Sequence, residues 1–333
     1  STSNGKGVAM DHKIGHLFHN ARRAGLWPRA EPPSRSAITK ARQKLPLKVF
    51  QDLLTKIVNL AYEIWPKHDR FSFEGLNIIA IDGSKYTMPA AEEVRQTFQP
   101  NSGLQTGKGH YPQALVSTAY DVCRRIPVAR TVVPVNGSER AEALKMLPLL
   151  PRPSLVVFDR GYPSYEMFAI MAREAQLDFL FRCPAKSTFP AVMKFINSPQ
   201  KDALLPIEPS YDFRRRYGQC AGEPVLVRAI KMVKESGEIG IYLTSLIDAS
   251  AYPPEKIIAL YEYRWAVEDY YRNEKAYLKI ESFHARTPTG VLQELFAVVI
   301  MAVIAGILRV TAMSQEINAN NWPQVKHSIL ATA

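Results

Sequence analysis

The sequence predicts a mixed α/β fold built around one sheet, and three observations carry that prediction. Two apolar runs, Leu76–Asp82 (LNIIAID) and Leu155–Asp159 (LVVFD), each end in an aspartate, the pattern of buried strands that stop at a polar rim. Between and after them, segments of strand and helix character follow in the order strand, strand, strand, helix, strand, helix, strand, which a single sheet flanked by helices accommodates. Pro253–Ile280 reads as one long helix: two prolines open it, where a missing amide donor costs nothing, and no Gly or Pro interrupts the rest.

Taken in order, the chain begins with STSNGKGVAM, small and polar, which reads as a flexible lead or an expression remnant. A Pro-broken segment around Trp27–Pro33 precedes two helical patterns, Ser34–Lys44 and Leu47–Ile64. Residues 1–70 hold +8 of the formal charge of +11. They form a basic helical region, read either as a solvated surface or as a DNA-binding arm.

LNIIAID then places Asp82 at the carboxyl end of a buried strand. Tyr111–Tyr120 and Arg125–Pro134 are two more strands, joined by Asp121–Arg124, and Ser138–Leu147 is a helix capped by Ser138. LVVFD places Asp159 at a second strand end; a helix (Ser164–Ala175) and a strand (Asp178–Cys183) follow. In sheets of this kind ligands gather at the carboxyl ends of the parallel strands.

The 108 residues between Asp159 and Glu268 are too many for that helix and strand. The excess carries turn residues and alternating runs such as Val225–Val233 and Ile239–Leu243, a β-rich insertion. Its Phe213, Arg214, Arg215, Arg216 and Tyr217 interleave aromatic and basic side chains, either as a strand edge protected by charge or as a nucleic-acid contact. Pro288–Ala312 is an apolar helix whose longest uninterrupted run, Phe296–Leu308, is too short to span a bilayer; it reads as buried, with no transmembrane segment. The expected organisation is therefore a basic helical region (1–70), a catalytic domain (71–184 and 245–312), an insertion (185–244) and a short tail (313–333).

At 333 residues and 47% hydrophobic content the chain can bury a sizeable core. Its charge and pI near 9.5 favour a polyanionic partner, nucleic acid or an anionic membrane surface. Cys123, Cys183 and Cys220 are widely spaced and lack any zinc-type pairing, and no secretory signal is present, so a reduced cytosolic compartment is expected.

On the long helix, Tyr261, Arg264, Glu268 and Lys275 share an arc of roughly 60°, extended by Arg272 and Lys279. Leu260, Tyr263, Val267, Tyr271 and Leu278 lie opposite, as a stripe that seats the helix on a core. The polar face reads either as a solvated surface with an Arg264–Glu268 pair or as part of a site whose other members are Asp82 and Asp159. Three carboxylates from two strand ends and a helix suit a pair of Mg²⁺ ions about 4 Å apart, the arrangement that phosphoryl transfer uses. Arg264 and Lys275 would hold the scissile strand by its phosphates, and Tyr261 would hydrogen-bond a phosphate oxygen.

The spacing Tyr261, two residues, Arg264, three residues, Glu268, six residues, Lys275 resembles the Tyr-Arg-Glu-Lys signature of bacterial insertion-sequence transposases with a DDE site (insertion-sequence family four). Asp82 within AIDGS and Asp159 within FDRGY resemble that family's first and second catalytic aspartates, and the likeness runs from about Leu76 to Arg309. It implies an RNase H-like α/β domain, a mixed sheet flanked by helices and interrupted by the β-rich insertion. It also implies catalytic and metal-holding roles for Asp82, Asp159 and Glu268 with two Mg²⁺ (or Mn²⁺) ions, and DNA contacts from Tyr261, Arg264 and Lys275.

The implied reaction is hydrolysis at transposon ends followed by attack of the freed 3′-OH on a second phosphodiester, with no covalent enzyme intermediate. The implied partners are double-stranded DNA, as terminal inverted repeats and target, and a second copy of the chain in a homodimer, in a bacterial cytoplasm at the nucleoid and not at a membrane. The insertion lacks the Trp with which some members hold a flipped base, since Trp27, Trp65, Trp265 and Trp322 all lie outside it; Phe213, Tyr217 and Tyr242 are the aromatics that could stack instead. The alternatives are a catalytically inactive DNA-binding descendant or inhibitor, and an RNase H-like nuclease that cuts without joining. A carboxylate glycosidase fits the basic balance poorly.

Overall fold

The computed structural model describes residues 10–67, 71–100, 111–218 and 222–317; most of the lead, Cys220 and nearly all of the tail fall outside them. The chain divides into two compact units, Ser1–Val49 and Phe50–Ala333. The first holds α1 (Met10–Arg23), which the sequence did not announce, and α2 (Arg35–Lys44). Ser34 caps α2 by accepting from the Ala37 amide at 3.2 Å, and no α2 residue is buried. The expected Leu47–Ile64 helix is α3, with Leu54, Val58 and Ala61 buried at helical spacing.

The second unit is organised by one eight-stranded sheet in the order β3-β2-β1-β4-β5-β8-β7-β6. Its first five strands in sequence are β1 (Asn77–Thr87), β2 (Gln113–Asp121), β3 (Ile126–Pro134), β4 (Ser154–Phe158) and β5 (Leu177–Cys183). β1, β2 and β3 run antiparallel, and β1, β4 and β5 run parallel. This is the mixed α/β arrangement flanked by helices that the sequence predicts.

Asp82 needs one correction. β1 does not stop there but continues to Thr87, held by antiparallel pairing with β2. What stops is the parallel ladder, whose last pair is Ile81 with Phe158. Asp82 and Asp159 are therefore the next residues on two adjacent parallel strands, the rim position expected of them.

The insertion does not form a separate layer. β6 (Asp202–Ile207), β7 (Val225–Val233) and β8 (Ile239–Thr244) extend the same sheet beyond β5, with β8 pairing antiparallel to it. Two short helices accompany them, α7 (Pro190–Ile196) before β6 and α8 (Tyr211–Tyr217) between β6 and β7. Arg214, Arg215 and Arg216 thus sit on a helix and not on a strand edge, because Ser210 caps it by accepting from the Phe213 amide. α4 (Glu92–Phe98), α5 (Glu139–Met146, capped by Ser138) and α6 (Tyr165–Met171, capped by Ser164) complete the set before the insertion.

The expected long helix is two: α9 (Pro254–Glu262) and α10 (Trp265–Ala276). At the junction the amides of Tyr263, Arg264, Ala266 and Val267 bond carbonyls three residues back instead of four. No Gly or Pro causes this; the tight turn accompanies burial of Tyr261 and Arg264, 2% and 4% exposed, on the side expected to face solvent. Leu260, Val267 and Tyr271 are buried as expected, whereas Leu278, beyond the end of α10, is 57% exposed.

The last helix, α11 (Pro288–Ile317), runs longer than expected. Its Pro288–Thr311 stretch is long and apolar enough, by length and composition alone, to cross a membrane. In the fold it buries Val291, Leu295, Phe296, Val299 and Val303, while Met301 and Leu308 are exposed.

Candidate active site

The site is assembled by the two strand rims and the α9–α10 junction. Arg264, the residue at the break, donates from Nη2 to Glu268 Oε1 at 2.6 Å, and its Nη1 lies 3.6 Å from Asp82 Oδ2. One turn earlier, the Tyr261 hydroxyl donates to Asp159 Oδ1 at 3.1 Å. The junction therefore touches all three predicted carboxylates through two side chains of the predicted set. Of the two readings of this polar face, solvated surface or part of a site, the burial of Tyr261 and Arg264 favours the second.

Burial pushes the Asp82 carboxyl up to about 6, and the neighbouring charges of Glu139 and Glu268 add to that rise. The Gly83 amide, which donates to Asp82 Oδ1 at 2.9 Å, and the Arg264 guanidinium pull the other way. Burial works against the charge of Arg264, but Tyr261, Glu268, Asp159 and Asp82 outweigh it and hold its pKa above the usual value. Tyr261 is pushed up by burial and by Asp159, so it stays a proton donor.

A cleft of about 340 Å³ opens beside these groups, lined by Asp82, Ser84, Glu268, Tyr271, Arg272 and Lys275. Its acidic floor thus carries basic walls. Lys275 Nζ donates to Ser84 Oγ (2.9 Å) and to the Lys85 carbonyl (2.7 Å), and burial lowers its pKa. Arg272 is exposed and pairs with Asp269 at 2.8 Å. Asp159 is not among the lining residues; it is reached through Tyr261.

The other predicted residues are not brought here. Lys279 lies past the end of α10, exposed, at φ 48°. Arg214 and Arg216 face Glu208 (3.5 Å) and Glu166 (3.6 Å), and neither they nor Arg215 line the cleft. Of the candidate stacking aromatics, Tyr242 is 2% exposed and packed edge-on to Tyr261. Phe213 packs on Tyr165, while Tyr217 is exposed and donates to Glu166.

Sequence reasoning missed the groups that hold α10 on the sheet. The Tyr271 hydroxyl is shared between the carbonyls of Asp82 (2.7 Å) and Val116 (3.1 Å). Glu274, 1% exposed, accepts from Arg130 Nη2 at 2.8 Å, from Tyr270 at 2.5 Å and from Tyr86. The one available signal was Ser84, two residues after the aspartate in AIDGS; nothing in the spacing of Arg130 and Glu274 joins them.

Among the described residues, no three acidic, histidine or cysteine side chains gather within reach of one metal ion. The Arg264 guanidinium stands between Asp82 and Glu268 instead. The donor set nonetheless fits a hard divalent cation, because Asp82 and Glu268 offer carboxylate oxygens that already share one cationic group.

Over 273 residues the chain is 24% identical to the transposase InsG for insertion sequence element IS4 of Escherichia coli (strain K12), a match covering 80% of this chain and 59% of that protein. The chain thus spans under two thirds of that relative's length. The cryo-EM structure of piggyBac transposase synaptic complex with hairpin DNA superposes with a TM-score of 0.40 at 10% identity, over 76% of this chain and 56% of that one, too loosely to add to the topology above. Residues 74–304, from just before β1 to well into α11, match the model of the Transposase DDE domain, and the chain belongs to that family.

Proposed function

We propose that this chain is the catalytic part of an insertion-sequence DNA transposase, which hydrolyses a phosphodiester at each transposon end and joins the freed 3′-OH to a second DNA. The observation that carries this reading is the contact of the α9–α10 junction with Asp82, Asp159 and Glu268 together, beside a cleft walled by Lys275 and Arg272. Membership of the DDE family supports it, and implies dependence on a divalent metal in general. The relative InsG is named as the transposase of an insertion sequence.

In this reading Asp82, Asp159 and Glu268 hold Mg²⁺ or Mn²⁺, two ions per site, and act as the catalytic triad. Bound there, such ions supply Lewis-acid stabilisation to the attacking and leaving oxygens of the phosphodiester. Arg264 carries the charge of Asp82 and Glu268 and orients both carboxylates. Tyr261 fixes the rotamer of Asp159 by donating to it. Lys275, held by Ser84 and the Lys85 carbonyl, presents a fixed cation to a backbone phosphate, with Arg272 and Lys279 at the rim of the same helix. Arg214, Arg215 and Arg216 form a second, separate contact to the duplex.

The basic segment 1–70 contributes further DNA binding, 71–184 with 245–312 form the RNase H-like domain, and the insertion 185–244 widens its sheet. The partners are terminal inverted repeats and target DNA, with two chains pairing two ends as a homodimer, at the bacterial nucleoid.

The test is incubation of the chain with labelled DNA carrying the inverted repeats that flank its gene, with Mg²⁺ or Mn²⁺. Nicking at the repeat ends and appearance of joined product are expected. Binding without any cleavage, under conditions where the chain is folded, overturns the reading; nicking that never yields joined product reduces it to a nuclease.

A further inference from the structure

Side chains alternate along a strand, so Asp82, Ser84 and Tyr86 share one face of β1, the face that α10 covers. On α10 the residues that meet them are Glu268, Tyr271 and Lys275, which fall on one side of the helix. The two elements run side by side: Arg264 bridges Glu268 to Asp82, Tyr271 packs edge-on to Tyr86, and Lys275 meets Ser84. Ser84 lies about 7 Å along the strand from Asp82, and Lys275 about 10 Å along the helix from Glu268. The cleft therefore has a carboxylate end and a second end, built from Ser84 and Lys275.

That second end holds a charge without a counter-charge. Lys275 Nζ is met by Ser84 Oγ (2.9 Å), by the Lys85 carbonyl (2.7 Å) and by the ring face of Tyr86, 4.7 Å from its centroid, all of them neutral. Among the described residues no carboxylate comes within ion-pair distance of Lys275, whereas the buried guanidinium groups of Arg130, Arg228 and Arg264 each have one. Burial outweighs the more distant charges of Glu281 and Glu274 in lowering its pKa. Fixed in place yet not neutralised, the ammonium calls for an anion. Ser84 adds a second donor. A serine hydroxyl carries one proton and accepts through its lone pairs. Its oxygen accepts from Lys275, so its own proton points away from the ammonium, and among the described residues nothing accepts it. Both groups line the cleft, where one oxyanion can take the remaining N–H of Lys275 together with the Ser84 O–H.

We propose that Ser84 is a DNA-contacting residue, whose hydroxyl donates, beside Lys275, to a backbone phosphate neighbouring the scissile one. Two residues of strand keep Ser84 away from the phosphate that Asp82 and Glu268 address, and Lys275 is tied to positions 84 and 85, so one phosphate does not serve both ends of the cleft. The inference rests on the transposase reading above and adds a residue outside the Tyr-Arg-Glu-Lys set.

The experiment measures binding of the full chain, without divalent metal, to labelled repeat-end duplexes in which each phosphate around the cut is replaced in turn by a neutral methylphosphonate. The proteins are the parent, Ser84→Ala, Ser84→Thr, Lys275→Ala and the Ser84→Ala/Lys275→Ala double variant, each checked for folding by thermal melting. In the parent, one methylphosphonate beside the cleavage site is expected to weaken binding about tenfold, as loss of hydrogen bonds to a charged group does. Ser84→Ala is expected to weaken binding to the unmodified duplex several-fold and to shrink that penalty, whereas Ser84→Thr, which keeps the hydroxyl, preserves both. In the Lys275→Ala background, Ser84→Ala is expected to weaken binding further and to remove the remaining sensitivity at the same phosphate. No further loss in that background means that Ser84 acts only by placing Lys275, which overturns the contact; a penalty confined to the scissile phosphate overturns its location. If no methylphosphonate matters while the chain still nicks and joins the unmodified duplex in Mg²⁺, this inference falls and the transposase reading stands. A chain that neither binds nor cuts these duplexes overturns both.

Discussion

Two arginine–glutamate pairs, whose glutamates lie six residues apart on α10, differ in a way that separates architecture from chemistry. Arg130 and Glu274 are 0% and 1% exposed at their side chains, and both carboxylate oxygens of Glu274 are taken, one by Arg130 and Tyr86 and the other by Tyr270. Arg264 and Glu268 are 5% and 32% exposed, and two of the three guanidinium nitrogens have no hydrogen-bond partner. The first pair has its charge met inside the fold, with both oxygens of Glu274 engaged and one guanidinium nitrogen of Arg130, Nη1, without a hydrogen-bond partner, and it holds α10 on the sheet. The second is left short of partners at the mouth of a cleft, the condition for exchanging one partner for a substrate or an ion.

That contrast breaks if the two glutamates behave alike on substitution. Glu268→Gln is expected to reduce cleavage of transposon-end DNA at least ~10⁴-fold, about 5 kcal/mol in the barrier, while its urea midpoint and DNA affinity stay near the parent's; full cleavage in this variant would remove Glu268 from the site. Glu274→Ala is expected to show the reverse order of effects. It leaves the charge of Arg130 buried and unpaired, at a cost of about 3–5 kcal/mol in unfolding free energy, and a urea midpoint unchanged from the parent would show that the buried pair does not anchor α10.

A smaller effect sharpens the site's electrostatics. The folded pKa of Asp82, about 6, lies above the ordinary carboxylate value. The stability contributed by its protonated form is therefore complete below about pH 4 and lost as pH rises through about 6. Asp82→Asn, which cannot ionise, should be more stable than the parent by about 3 kcal/mol near pH 8 and close to it near pH 4. A pH-independent difference would mean that Asp82 is not desolvated. Smallest is Lys275→Ala, expected to weaken end binding several-fold and to lower the slope of log affinity against log salt by about 1; an unchanged slope would exclude a phosphate contact.

The strands other than β6 were legible because each is a short apolar or alternating run closed by polar residues, and Val225–Val233 is observed with the bounds expected of it. The helix caps were legible where a serine precedes a helical pattern, as at Ser138. The α9–α10 break was not, because no Gly or Pro marks it and the contacts that accompany it lie about 100 and 180 residues away in sequence, at Asp159 and Asp82. The helix that carries Arg214–Arg216, for which a strand edge was one of two readings, was not legible either: charge interleaved with aromatics says nothing of period, and the Ser210 cap decides for helix. The grouping of Asp82, Asp159 and Glu268 around the α9–α10 junction follows from two rims and a helix face, which sequence does contain.

The place of β1 and β4 in the sheet carries a mechanical consequence. They stand third and fourth of eight strands, laddered on both sides, so the backbone that carries Asp82 and leads into Asp159 is among the last parts of the molecule to open, and its amides should exchange with solvent most slowly. The elbow between α9 and α10 has no such bracing. Its amides should therefore exchange sooner than those of the two strands.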